Sequence, residues 1–261
     1  MYDPSLERLH EEPVHESRLT PLPRLYTDLA SWWPLLSPPD ESYAAEAAAI
    51  IDMLSETLGR CPPTILELGA GGGNNAFYLK RHARMTLVDL APDMLEVSRG
   101  INAEAEHVAG DMRFVRLGRA FDAVVIHDAI MYLLTEDDLA AAIATAHVHL
   151  KPGGAVIVLP DCVSETYTPN VETGGEDGED GRSMRYLIWC QEPVSGATAF
   201  HEDFLMLLRK PDGSVEAVHD RHTFGVFPRA AWIAAFKRAG FAAPTVRSDP
   251  WRQDVFIARK E

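Results

Sequence analysis

The residues with the clearest chemical potential lie in one glycine-rich turn, ILELGAGGGNN, in which Glu67 stands two places before Gly69 and Ala70, Gly71, Gly72, Gly73 and Asn75 follow. Glycines at a strand-to-helix turn take backbone angles that side chains disfavour and let a ligand approach the main chain. A carboxylate beside such a turn repels a pyrophosphate and suits a ligand carrying positive charge. Asp89 closes the stretch MTLVD, 20 residues after Gly69, where one carboxylate can accept from both hydroxyls of a ribose. The next segment, AGDMR, offers Gly110, Asp111 and Met112. Asp111 suits the amino group of an adenine, the Met112 N–H a ring nitrogen, and Leu90 or Met94 the face of the base. These residues together describe a site for a nucleoside with a cationic tail.

Candidates for proton transfer come from His127, His201, His219 and His222, whose ordinary pKa lies near neutrality. His127 follows FDAVVI, at the strand end where ligands gather in open α/β sheets, so it is a candidate both for the cofactor and for catalysis. His201 and His222 lie in strand-like stretches whose faces alternate. The run HDRH is not a metal site, since residues three apart on a strand point to opposite faces, and no metal is expected. Trp32, Trp33, Tyr132, Tyr186 and Trp189 could build an aromatic wall around a cationic methyl group.

The elements that must position these residues alternate along the chain. YAAEAAAIIDMLSETL is helical and TILEL strand-like; MTLVDL, APDMLEVSRG, FDAVVIHD, TEDDLAAAIATAHVHL and AVIVLP continue the pattern, with Lys-Pro-Gly-Gly read as the stop of the last helix. Such alternation predicts a parallel sheet covered by helices. The acidic, glycine-rich stretch from Asp161 to Arg182 reads as a surface loop. SMRYLIWC, ATAFHEDFLMLLRK and SVEAVHDRHTFGVF read as a three-stranded antiparallel meander, with Pro211-Asp212-Gly213 as a hairpin turn. The helix PRAAWIAAFKRAG and two final strands near PTVRS and DVFIARK complete the main sheet. Residues 1–24 are expected to form a loose arm, and residues 25–261 a single domain with an inserted lid at about 183–226.

ELGAGGG, LVDL, GDMR and FDAVVIHDAIMYL, spanning Ile65 to Pro160, resemble the successive motifs of class I S-adenosylmethionine-dependent methyltransferases. DLAPDML, the sequence LGRAFDAV after GDMR, and FGVFPRAAWIAAFKRAGF are similar to the amino-sugar N,N-dimethyltransferases of antibiotic biosynthesis. The resemblance implies S-adenosyl-L-methionine as methyl donor, S-adenosyl-L-homocysteine as product and a small-molecule acceptor methylated on nitrogen or oxygen. It implies a Rossmann-like α/β fold with a seven-stranded, mostly parallel sheet in the order 3-2-1-4-5-7-6, helices on both faces, and the meander roofing the acceptor. It also implies that Tyr26 and Tyr43 close over the cofactor and that Tyr132 stands where the sugar enzymes place a histidine facing the acceptor.

Against 24 Lys and Arg stand 39 Asp and Glu, a net charge of −15, so nucleic acid and acidic membrane are poor partners. The start of the chain lacks a signal-peptide pattern and no apolar run approaches membrane-spanning length, so the protein is expected to be cytoplasmic. The pattern carries no signal for oligomeric state. Two other readings stay open at this level: an NAD(P)-dependent oxidoreductase, which the glycine turn and Asp89 alone would also suit, and a catalytically silent cofactor-binding regulator. A ligand at about 100 times its Kd adds roughly 2.7 kcal/mol to stability. The melting temperature is therefore expected to rise with S-adenosylhomocysteine and to stay fixed with NAD; a rise with NAD alone would reverse the cofactor assignment.

Overall fold

The computed structural model describes residues 21–193 and 196–261, so residues 1–20, most of the expected arm, lie outside the described residues. Two 3₁₀ turns, Arg24–Tyr26 and Ala30–Trp32, lead into α1 (Trp33–Leu36) and α2 (Glu41–Leu58). Asp40 starts α2 by accepting the Ser42 N–H at 2.9 Å, and Gly59 ends it in the left-handed region at φ 71°. The chain then alternates through β1 (Thr64–Leu68), α3 (Asn74–Leu79), β2 (Arg84–Asp89), α4 (Pro92–Ile101) and β3 (Glu106–Ala109). It continues with β4 (Phe121–Ile126), α5 (Glu136–Val148) and β5 (Leu150–Val158). Thr135 caps α5 by accepting the Asp138 N–H at 3.1 Å. β6 (Val171–Gly174), β7 (Ser183–Cys190), β8 (Ala199–Arg209) and β9 (Val215–Gly225) form a second sheet. α6 (Arg229–Arg238), β10 (Thr245–Arg247) and β11 (Val255–Arg259) return the chain to the first.

The first sheet runs β3-β2-β1-β4-β5-β11-β10, parallel except at β11, which is antiparallel to β5 and β10. Numbered within that sheet alone, this is the expected order 3-2-1-4-5-7-6. Side chains alternate across it. Leu66, Leu68, Val124, Ile126 and Val158 pack with Leu139 and Ile143 of α5 and Trp232 and Phe236 of α6. Ile65, Ala123, Val125 and Ile157 pack with Ile50 and Leu54 of α2 and Leu79 of α3. Burial on both faces explains why FDAVVI is continuously apolar save for its aspartate. Asp122 is held there by Arg60, Thr64 and Lys151 at 2.6, 2.6 and 2.9 Å.

Two expectations are corrected. The stretch from Asp161 to Arg182 is not simply a surface loop: it contains β6, which pairs with β7 from Val171↔Trp189 to Gly174↔Tyr186, so the meander has four strands and begins before residue 183. An edge strand is held by backbone pairing, which an acidic, glycine-rich composition does not reveal. Lys-Pro-Gly-Gly is not the stop of α5 but part of β5, because Leu150 is already buried and paired with Phe121. The register shift between Phe121 and Ala123, with Gly153 at φ 77°, absorbs the irregular residues.

The inner face of the second sheet presents Met184, Phe204, Met206, Leu208 and Val218 to Leu25, Leu29, Trp32 and Leu35 of the first described turns. The N-terminal segment is thus clamped between the lid and the main sheet.

The glycine turn leaves β1 with Gly69 at φ 78°, and a Cβ there would meet the Ala129 side chain and come within 2.8 Å of Met112 Cε. Gly69→Ala combines backbone strain with overpacking, each about 1–3 kcal/mol. Urea unfolding is expected to show a loss on the order of 2–4 kcal/mol, and a loss below about 0.5 kcal/mol, the range of an ordinary surface substitution, would contradict this account of the turn.

Candidate active site

The carboxyl ends of β1, β2 and β4 open onto a cavity of about 580 Å³, within the range of small-molecule sites. The glycine turn is drawn over β2 by the Gly69 and Ala70 N–H groups, which donate to the Val88 carbonyl at 2.8 and 3.0 Å. Asp89 accepts the Gly71 N–H at 2.7 Å on one oxygen and the Ala91 N–H at 2.8 Å on the other. Both carboxylate oxygens are therefore oriented by backbone. Burial raises the Asp89 pKa, and these N–H bonds oppose the shift. Gly73, at φ 78°, is tied down by Asn102 Nδ2 donating to its carbonyl at 2.9 Å.

Glu67 is 2% exposed, and its Oε2 has no hydrogen-bond partner among the described residues. Burial pushes its pKa up to about 8, against an opposing pull from His127. Asn75 also lines the cavity with an unpartnered, buried Oδ1. Leu90, Met94, Gly110, Asp111 and Met112 border the same space, as do Tyr26 and Tyr43. Tyr43 is fixed by a 2.7 Å hydrogen bond to Ser37. Asp111 differs from expectation in one respect: Arg113 forks onto its carboxylate, with Nη2 at 2.6 Å, and reaches Asp138 at 2.7 Å. Its charge is already neutralised before any base arrives.

The histidines separate. His127 lines the cavity with Nε2 at 2.9 Å from Glu46 and Nδ1 at 3.1 Å from Asp128. Burial works against its charge, but Asp128 and Glu46 outweigh it and push the pKa up to about 10. An imidazolium has no lone pair to offer, so these carboxyls oppose a base role for His127, while Arg252 Nη2 at 2.8 Å from Nε2 suits the neutral ring. His201 is exposed and bonded to Thr223 at 3.0 Å, outside the cavity wall, because its side of β8 faces away. His222 is fully buried behind the wall, with Nδ1 at 2.7 Å from the Tyr132 hydroxyl; Tyr132 itself lines the cavity. His219 is half exposed and bound to Asp203 at 2.6 Å, on the opposite face of β9 from His222. Of the aromatic candidates, Trp33 and Tyr132 line the cavity, whereas Trp189 is exposed and Trp32 and Tyr186 pack beneath the second sheet.

Sequence reasoning missed a cluster on the floor. Arg252 is 8% exposed and reaches Glu46, Asp128 at 2.7 Å and Asp161 at 3.9 Å. His127 and Arg252 hold Asp128 well below the usual carboxylate range although burial acts the other way. Asp161 opens onto the cavity with its side chain 54% exposed, next to the charge of Asp128. Asp128 adjoins His127 and could have been suspected. Arg252 lies more than 120 residues beyond His127 in an unremarkable loop and could not.

A profile described as methyltransferase domain matches residues 65–154. The dTDP-3-amino-3,4,6-trideoxy-α-D-glucopyranose N,N-dimethyltransferase of Streptomyces venezuelae is 29% identical over 219 residues, covering 83% of this chain and 91% of that protein. The dTDP-3-amino-3,6-dideoxy-α-D-glucopyranose N,N-dimethyltransferase of Streptomyces fradiae is 26% identical over 215 residues, 82% of each chain. The crystal structure of DesVI of Streptomyces venezuelae superposes with a TM-score of 0.76 at 28% identity, covering 84% of this chain and 92% of that one. The chain thus carries a methyltransferase domain at residues 65–154 and is similar over most of its length to N,N-dimethyltransferases. The oxidoreductase reading falls with that result.

The residues of the methyltransferase cavity fit its cofactor on the structure's own terms. A buried carboxyl with one oxygen unpartnered, Glu67, suits the ammonium of an amino-acid tail and would oppose a pyrophosphate. Asp89, gripped from behind by two N–H groups, keeps lone pairs for a ribose.

Glu67 is mostly protonated at pH 7 while its pKa stands at about 8, and a cationic tail lowers that pKa on binding. Titration calorimetry with S-adenosylhomocysteine is expected to show release of about one proton near neutrality and tighter binding as pH rises toward 8. Glu67→Gln is expected to abolish the release; an unchanged release in that variant would place the proton elsewhere.

Proposed function

We propose that this methyltransferase acts on an amino nitrogen of a small polar acceptor of the amino-sugar kind, as in natural-product tailoring. The observation that carries this reading is the pair of carboxyls, Asp128 and Asp161, that face the cavity beside Tyr132 with a single guanidinium, Arg252, between them and the floor. Such a wall attracts an ammonium-bearing acceptor and offers little to a neutral phenol or an anionic carboxylate. The relatives named above, which act on amino sugars by name, support it.

S-adenosylmethionine, when bound, supplies a methyl group on a positively charged sulfur, so that attack by a neutral nitrogen disperses charge. Alignment and exclusion of water then account for most of the protein's task. Tyr26, Trp33 and Tyr132 give the cavity its aromatic side, and Phe224 of the lid continues it. Tyr26 and Trp33 stand with ring centroids 5.9 Å apart, and Tyr26 meets Tyr132 edge-on at 5.6 Å. This surface tolerates a cation and excludes solvent from it. His127 bonds Asp128 and Glu46, which keeps the acidic wall in place.

Mass spectrometry of reactions with S-adenosylmethionine and dTDP-3-amino-3,4,6-trideoxy-α-D-glucopyranose is expected to show methylated amine, with a catechol unmodified in parallel. Methylation of the catechol alone would overturn the amine reading. A charge-assisted contact is worth roughly 1.5–3 kcal/mol, so Asp161→Asn is expected to raise the KM for the amine about tenfold or more with the Kd for S-adenosylhomocysteine unchanged.

A further inference from the structure

Behind the aromatic side of the cavity a chain of hydrogen bonds runs into the lid. The Tyr26 and Tyr132 hydroxyls are 2.8 Å apart, Tyr132 lies 2.7 Å from His222 Nδ1, and His222 Nε2 lies 3.2 Å from Asp220 Oδ2. Tyr26 and Tyr132 line the cavity, whereas His222 is fully buried and Asp220 is 7% exposed. The four groups come from the N-terminal turn, the turn after β4, and β9. Asp220 also accepts the Leu25 N–H at 2.8 Å, which locks the N-terminal segment to the lid. A buried histidine and aspartate are costly to desolvate, and a simple anchor for Leu25 would need only the aspartate.

The geometry points to a proton relay, from Tyr26 through Tyr132 to His222 with Asp220 behind it, that removes the proton an ammonium acceptor must lose before its nitrogen can attack. The relay rests on the amine reading for the source of its proton. In the receptive state Tyr26 donates to Tyr132 and Tyr132 donates to the free lone pair of His222 Nδ1, while the Nε2–H donates to Asp220. The ammonium gives one proton to the Tyr26 oxygen, Tyr26 passes its own to Tyr132, and Tyr132 passes its own to Nδ1. His222 becomes an imidazolium paired with Asp220, and the acceptor nitrogen regains its lone pair. That pair forms the new N–C bond as the S–C bond breaks, with the bonding electrons left on sulfur. After product leaves, the proton returns along the same chain to water. The Tyr26–Tyr132 contact of 2.8 Å accommodates either hydroxyl as donor, so the pair serves both the receptive and the loaded state.

Two features make His222 the terminus rather than either phenol. Burial raises the pKa of both tyrosines, most strongly for Tyr132 where Tyr26 adds to it, so they conduct a proton without holding a charge. The charged groups facing His222 are Asp220 on its own strand, 3.2 Å from Nε2, and Glu202, its cross-strand neighbour on β8. Phe204 stacks on the ring at 4.2 Å and keeps it from turning.

The experiment has two arms. In the first, ¹⁵N-histidine NMR of the protein bound to S-adenosylhomocysteine follows the His222 titration, assigned by its loss in His222→Gln. Asp220→Asn, which keeps an acceptor for Leu25, is expected to move the Nε2 resonance, and Tyr132→Phe is expected to shift the Nδ1 resonance. A His222 signal indifferent to both changes overturns the relay whatever the acceptor proves to be. In the second arm, with the dTDP-amino sugar, His222→Gln and Asp220→Asn are expected to lower kcat at pH 7 by about tenfold to a hundredfold. KM stays within about twofold, and the acid limb of the kcat profile is lost. Wild-type kcat in both variants, or an acid limb that survives them and disappears in Asp161→Asn, overturns the relay.

Discussion

The site depends on one buried guanidinium. Arg252, from the loop between β10 and β11, bonds Glu46 of α2 and Asp128 of the turn after β4, and its Nη2 lies 2.8 Å from His127 Nε2. It therefore joins the end of the chain, the first long helix and the carboxyl edge of the central strand at a single point. Arg252 and His127 face four carboxyls, Glu46, Asp128, Asp161 and Asp249, so a proton on His127 would bring the floor closer to neutrality. Removing one member of such a buried network leaves its partners uncompensated, at a cost of about 3–5 kcal/mol. The floor is consequently a rigid charged plate on which ligand positions are referenced.

Above that plate the lid and the N-terminal segment act as one piece. The described N-terminal turns have no strand of their own to join, and they are held instead by the apolar inner face of the second sheet and by the Leu25 N–H bond to Asp220. Tyr26 reaches the cavity only because Leu25 beside it is fixed in this way. The aromatic side of the cavity is thus a product of tertiary packing between segments nearly 200 residues apart, and the lid cannot shift without carrying that side with it.

The half of the site legible in the sequence is the half built from local geometry. Glu67, Gly69, Gly71, Asp89 and Gly110 each lie at or just past a strand end, and a parallel sheet brings consecutive strand ends together without further information. Asp161, Arg252 and Glu46 meet only through the fold, and nothing in their own surroundings in the sequence marks them. The same distinction explains the errors in secondary structure. β6 is hidden by its acidic, glycine-rich context and held only by β7, and the start of β5 was masked by Pro152 and Gly153, which usually end helices but here sit in a bulge. The protonation of His127 depends on Glu46, Asp128 and Arg252, and only the second of these is near it in sequence.

The carboxyls of the cavity divide into two kinds, and the division indicates what the ligands carry. Asp89 is gripped by two backbone N–H groups, Asp111 by Arg113, and Asp128 by His127 and Arg252, so each already has donors within the protein. Glu67, by contrast, is buried and has an oxygen with no partner among the described residues. A protein does not bury an unsatisfied carboxyl without cost, and the cost is offset where a cation arrives to complete it. Glu67 lies beside the glycine turn, where a buried carboxyl suits a ligand group of positive charge, whereas Asp161, past the end of β5 and half exposed, reaches solvent as well as the cavity.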